Sequence, residues 1–247
     1  MAGVGARVRT RLFRVRRGLR DRLLADPDFK TVREDLAARY LHGEGLELGA
    51  LNLPLRLPAA AQARYVDRKP VPEADWPEMA GQGFAPVDVV DDAQTLATIS
   101  DGSEDFVVAN HVLEHLEDPI AALETFARVL RPGGIAFIAL PEHGTLDAGR
   151  EITTIDHLST DHAQGPAGSR AGHYEDWVRN VERFDEADVA ARARDLDARD
   201  DSIHFHVFSR HSWAQLVLHL REHAGLPFDL ELVQANGDEF VTLLRRV

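Results

Sequence analysis

Residues 103–141 read SEDFVVANHVLEHLEDPIAALETFARVLRPGGIAFIALP and constrain the fold more than any other part of this 247-residue chain. An apolar run of strand length (106–110) meets a polar end, then an amphipathic helical pattern, a Gly-Gly turn and a second apolar run (134–140). Asp118 followed by Pro119 suits a helix start, since aspartate caps free amides and proline tolerates the first helical position. The inward stripe is then Ile120, Leu123, Phe126, Ala127 and Leu130. Strand, helix and strand make a βαβ unit, whose right-handed crossover sets both strands in one parallel sheet. Ligands of such sheets lie beyond the carboxyl ends of the strands. Asn110, His111 and Glu114 follow the first strand, and Pro141, Glu142 and His143 follow the second.

The pattern extends on both sides. Residues 45–48, 63–66 and 87–90 are short apolar runs ending in Gly49, Asp67 and Asp91-Asp92, as three earlier strands would. Helical pieces are expected at 173–183, 186–196 and 212–224. Strands at 228–234 and 239–244 flank Asn236-Gly237, the strongest short hairpin signal.

Composition bounds the function. The chain can bury one α/β core, or a core plus a large insertion. A net charge of -13 argues against nucleic-acid binding, which needs a basic field. Zero cysteines exclude disulfides, thiolate zinc sites and a cysteine nucleophile, and fit a cytoplasmic protein. Lys30 and Lys69 are the only lysines among many arginines, a usage pointing to a GC-rich bacterial genome. Residues 1–40 are expected to form a basic helical segment, with Val8, Leu12, Val15 and Leu19 at helical spacing among arginines from Arg7 to Arg22. Such a helix docks on its own acidic domain, the favoured reading, or contacts an anionic membrane surface, or resembles a transit peptide.

The run D-x-S-x-D-F-V-x-A-N-x-x-x-E-H-x-x-D-P followed by L-R-P-G-G closely resembles the class I S-adenosylmethionine-dependent methyltransferases, especially the group that includes quinone-biosynthesis enzymes. The phrase LELGALNLPL resembles, more loosely, a subgroup met with polysaccharide or natural-product pathways. The resemblance covers about residues 46–141 and the terminal hairpin. It implies an α/β fold with a Rossmann-like, seven-stranded, mostly parallel sheet and a reversed last strand. It also implies a methyltransferase domain at 41–247, with a 142–208 insertion after the fifth strand as an acceptor cap. S-adenosylmethionine is the implied cofactor, and S-adenosylhomocysteine the product. Onto this sequence it carries Glu47 and Gly49 as the start of the cofactor loop, Asp67 for the ribose hydroxyls, Asp92 and Ala93 for the adenine, and Asn110 and His111 near the sulfonium. A carboxylate can accept both hydroxyl protons of a ribose. The family loop reads E-x-G-x-G-x-G, whereas this chain has Glu47-Leu48-Gly49-Ala50-Leu51-Asn52-Leu53. Either the loop takes another path, which Asp67 and Asp92 favour, or cofactor binding is impaired and the chain is a non-catalytic module.

Two other readings compete. His111-Val112-Leu113-Glu114-His115 is an H-x-x-E-H string, as in inverted zinc peptidases, but it needs a helix where the pattern indicates a strand end. A nicotinamide oxidoreductase would need G-x-G-x-x-G after the first strand. Histidines crowd the insertion: His157, His162 and His173 with Asp156 and Asp161, then His204 and His206. On a strand, His204 and His206 would face one side and could jointly bind a metal or the acceptor. His143, His204 and His206 are the catalytic candidates, because imidazole suits removal of a hydroxyl proton. No metal is assigned. The expected acceptor is a polar small molecule, a sugar or a natural-product intermediate, methylated at oxygen, with nitrogen left open.

Overall fold

The computed structural model describes residues 27–70, 81 and 83–247, so the arginine-rich stretch of the expected N-terminal segment lies outside the described residues. The elements are α1 (Pro27–Tyr40), β1 (Gly43–Leu48), β2 (Ala61–Asp67), β3 (Val89–Val90), β4 (Glu104–Asn110), α2 (Pro119–Val129), β5 (Leu130–Pro141), α3 (Ile155–Gln164), α4 (Arg170–Trp177), α5 (Glu186–Ala198), α6 (Arg210–His219), β6 (Phe228–Asn236) and β7 (Glu239–Arg246). One seven-stranded sheet runs β3-β2-β1-β4-β5-β7-β6. The first five strands are parallel, and β7 runs antiparallel to both β5 and β6, as the methyltransferase resemblance implies.

Alternation along the strands divides the core. Phe106 and Val108 of β4 and Phe137 and Ala139 of β5 pack with Leu36, Ala37 and Leu41 on one face. Val107, Ala109, Ala136, Ile138 and Leu140 pack on the other face with α2 and α6. Ile120, Leu123 and Phe126 carry α2 into that layer, each burial worth about 1.5–3 kcal/mol. Asp118 caps α2 by accepting from the Ala121 amide at 2.9 Å. Gly45 lets β1 lie close against β4, since a β-carbon there would fall 2.3 Å from the Phe106 carbonyl oxygen.

Several bounds shift. β5 starts at Leu130 rather than residue 134, because Leu130 pairs with Glu104 before an irregularity in the ladder. β3 keeps two residues of the expected four. α4 begins at Arg170 and runs on through a π-helical turn, Val178–Glu182. The segment between β5 and α6 has its own apolar cluster, built from Tyr174, Trp177, Val178, Val189, Leu196, Ile203 and Phe205. Residues 203–208 form no helix and belong to no strand of the sheet. They hang on the Glu114 carbonyl, which accepts from the Phe205 amide at 2.7 Å, and on Thr153. No helix among the described residues is long and apolar enough to cross a membrane.

Candidate active site

The sheet brings six of the sequence-selected residues to one edge. Glu47 and Gly49 end β1, Asp67 ends β2, Asp92 and Ala93 follow β3, and Asn110 ends β4. The order β3-β2-β1-β4 makes these four strand ends neighbours. Glu47 is buried, and one of its oxygens accepts from the Leu55 amide at 2.7 Å, closing the loop that follows β1. Burial raises its pKa to about 7, while the Leu55 hydrogen bond and the Arg33 charge pull the other way. Its second oxygen and both side-chain polar atoms of Asn110 are buried without a hydrogen-bond partner. Asp92 is exposed and accepts from the Gln94 amide at 2.8 Å. Its neighbour Asp91 is occupied in holding the next turn, accepting from the amides of Ala97 and Thr98 and from the Thr98 hydroxyl.

The loop after β1 keeps a glycine-like course without the glycines. Gly49 has φ +59° and Leu51 has φ +48°. Leu51 stands where the E-x-G-x-G-x-G pattern has its second glycine, and a left-handed leucine costs roughly 1–2 kcal/mol. The Leu53 amide donates to the Ala50 carbonyl at 2.9 Å and the Ala85 amide to the Leu51 carbonyl at 2.7 Å, which together hold the turn against that cost.

His111 takes another direction. It too is left-handed, at φ +55°, and its Nε2 donates to Glu239 at 2.7 Å while Nδ1 lies 3.3 Å from Glu114. Burial disfavours its charge, but hydrogen bonds and charge from Glu114 and Glu239 outweigh this and raise its pKa to about 9. His111 is therefore a half-buried cation in an ion-pair network. Leu113–His115 is a single 3-10 turn, and His115 Nδ1 donates to the Ile203 carbonyl at 2.9 Å. The H-x-x-E-H string has no helix to share, which removes the peptidase reading.

The catalytic candidates part company. His204 and His206 are both buried but enter different groups, so the expected joint site is not formed. His204 Nδ1 donates to Asp147 at 2.7 Å, and its ring lies 4.7 Å from that of His115 and close to Glu114. His206 donates from Nε2 to the Glu117 carbonyl at 3.1 Å and gathers with His157 and His173. Complete burial lowers the His206 pKa to about 3, which leaves it too weak a base to take a hydroxyl proton. His143 is half-buried and donates from Nε2 to the Arg150 carbonyl at 3.0 Å. The Arg150 guanidinium in turn donates to the His204 carbonyl at 2.7 Å and to Asp147 at 3.0 Å, so one arginine holds His143 through its main chain and His204 through its side chain.

Residues 36–221 match a family model described as a methyltransferase domain. The chain belongs to this methyltransferase family. The family is one of class I S-adenosylmethionine-dependent enzymes, so this methyltransferase uses S-adenosylmethionine and releases S-adenosylhomocysteine. No curated protein sequence matches the chain. Among solved structures, it is similar to a protein assigned as a methyltransferase in complex with the Haloferax volcanii methyltransferase activator Trm112: TM-score 0.50, 14% identity, 94% of this chain and 96% of that one. A Rhodobacter sphaeroides protein named for zinc-dependent alcohol dehydrogenases aligns at TM-score 0.53 and 13% identity, over 90% of each chain. At such identities the likeness shows the shared fold alone. The CurJ carbon methyltransferase aligns at TM-score 0.43 and 13% identity over 84% of this chain, which spans about half (49%) of it.

The residues present fit the cofactor of the methyltransferase. The orphaned oxygen of Glu47 and the orphaned amide of Asn110 sit on paired strands, where Leu48 faces Ala109, and both want polar partners. Gly49 leaves room beside them that a side chain would narrow, since its β-carbon would meet Val112 at 3.3 Å. Sequence reading missed Asp147 and Arg150, which hold His204, and Glu239 and Arg33, which hold His111. The available signal was Glu239, the only carboxylate in its strand, set directly before the apolar Phe240 and Val241.

Proposed function

We propose that this methyltransferase acts at a hydroxyl of a polar small molecule or sugar, with His204 as the base and the 142–208 segment as the cap over the acceptor. The observation that carries this reading is the 2.7 Å bond from His204 Nδ1 to Asp147. It fixes the tautomer, leaving the Nε2 lone pair free to accept a proton. Asp147 stays below the usual carboxylate range despite burial, because His204 and Arg150 favour its charge, and it can thus stabilise the protonated ring. S-adenosylmethionine supplies a methyl group already activated by its sulfonium. In this reading Asp67 binds the ribose hydroxyls, Asp92 and Ala93 meet the adenine, and Glu47, Gly49 and Asn110 border the methionine part. His111 acts through Glu239 and Glu114 rather than on the cofactor. His143 is the second candidate base, braced by the same arginine. The alternative of a module without catalysis loses ground to the loop, whose Gly49 and Leu51 both hold left-handed backbone.

The test is transfer of isotope-labelled methyl to a panel of sugars, other hydroxyl compounds and amines, followed by kinetics of His204→Gln and His143→Gln. Loss of a general base lowers turnover about 10²–10⁴-fold with cofactor affinity unchanged. Methylation at nitrogen only, or near-normal turnover in both variants, would overturn the reading.

A further inference from the structure

His157 and Asp161 lie one turn apart on α3, so their side chains share a face. That face meets His173 of α4 and His206 of the 203–208 segment. His157 Nε2 is 3.1 Å from His173 Nε2 and 3.1 Å from an Asp161 oxygen, and His173 Nε2 is 3.7 Å from that same oxygen. One ring nitrogen from each of the three histidines lies within 4.8 Å of the others. An ion held tetrahedrally at bond lengths of 2.0–2.2 Å keeps its ligand atoms roughly 3.3–3.6 Å apart, close to the spacings among His157, His173 and Asp161.

His206 supplies the decisive detail. Its Nε2 donates to the Glu117 carbonyl, so the lone pair is on Nδ1, and that atom is buried with no hydrogen-bond partner. A hydrogen bond between His157 and His173, with Asp161 as acceptor, would satisfy those three side chains and still strand Nδ1 of His206. A cation among the four satisfies all of them. The outer partners also have the form found around bound metals, where ligands are held by further hydrogen bonds. The Glu117 carbonyl orients His206, and the Ser169 hydroxyl donates to Asp161 at 2.8 Å.

We propose that His157, Asp161, His173 and His206 bind a zinc-class divalent cation that fastens α3 and α4 to the 203–208 segment. Three imidazoles and a carboxylate suit zinc and its neighbours better than magnesium or calcium, which prefer all-oxygen sites. The three histidines form the group around the ion, and Asp161, beside His157 and His173, is the fourth ligand that closes the tetrahedron, so the role is structural. The site is separate from the Glu114, His115 and His204 group, and nothing in it depends on the identity of the acceptor.

The experiment uses the full chain without a polyhistidine tag, stripped by chelator and titrated with Co²⁺ and with Zn²⁺. Native protein should take up one equivalent, with the intense visible bands of tetrahedral Co²⁺. His157→Gln and His173→Gln should each weaken binding more than the about 10–100-fold expected for Ser169→Ala, which loses only an outer hydrogen bond. His115→Gln should bind as the native chain does. S-adenosylmethionine affinity and circular dichroism report folding in each variant. His157, with a side chain 38% exposed, carries the test if His173→Gln does not fold. No stoichiometric uptake, uptake unchanged in His157→Gln, or uptake lost in His115→Gln alone would overturn the proposal.

Discussion

His111 Nε2 lies 2.7 Å from an oxygen of Glu239, tying the end of β4 to the first residue of β7 across 128 positions of sequence. Arg33 of α1 binds both oxygens of the same carboxylate, one of them at 2.8 Å, and the Asn236 side chain donates to it at 2.6 Å. Glu239 is fully buried, and Arg33 is buried with it. Burial would push the Glu239 pKa up, yet His111 and Arg33 hold it below the usual carboxylate range. Three elements from distant parts of the chain thus meet on one charge beside the edge where the cofactor residues gather.

Glu239→Gln should therefore be severe. It leaves the buried Arg33 and the half-buried His111 charged without their partner, and breaking such a pair costs about 3–5 kcal/mol. Urea denaturation at pH 7 measures this directly. A loss under about 1 kcal/mol would mean that the network contributes little.

The same network sets a pH dependence at the alkaline side. His111 has its pKa raised from 6.5 to about 9, so its stabilising contribution is complete below pH 6.5 and lost as pH rises through 9. Denaturation curves between pH 6 and 10 should show the decline, and His111→Asn should flatten it.

Glu47 adds a decline at lower pH. Its pKa is raised from 4.5 to about 7, so the folded state favours the protonated acid. Stability from this group is whole below pH 4.5 and disappears as pH rises through 7. Glu47→Gln mimics the protonated form and can still accept from the Leu55 amide. In the cofactor-free protein it should be more stable than the native chain at pH 8, with little difference at pH 4.5. Equal stability at both pH values would place the carboxyl in a wetter setting than its burial indicates.

The ribose role proposed for Asp67 predicts weaker cofactor binding. Asp67→Ala removes charge-assisted hydrogen bonds worth on the order of 1.5–3 kcal/mol each, less where water substitutes. Calorimetric titration of S-adenosylmethionine should show a loss of at least about tenfold. Unchanged affinity would move the ribose elsewhere.

Much of this architecture was legible because the forces that encode it act over a few residues. The apolar runs 106–110 and 134–140, the Asp118-Pro119 start and the Asn236-Gly237 turn each dictate a local conformation, and the right-handed crossover does the rest. The strand-end residues Glu47, Gly49, Asp67, Asp92 and Asn110 were picked out by the methyltransferase resemblance, and the parallel sheet aligns the carboxyl ends that carry them. Gly49 was readable as a turn, whereas the left-handed backbone of Leu51 was not, because leucine carries no local preference for it.

Only the tertiary structure decided what the buried polar groups do. His204 and His206 look like a strand pair in sequence, but the 203–208 segment hangs on the Glu114 carbonyl and Thr153 instead of joining the sheet. The two rings then pass to different partners, Asp147 for one and the Glu117 carbonyl for the other. His111 reads as a strand-end polar residue, and only packing reveals that it answers Glu239 and, through it, Arg33. Secondary structure is written by neighbours in sequence, with preferences of tenths of a kcal/mol per residue. A buried charge must find its partner wherever the fold brings one, because leaving it alone costs several kcal/mol.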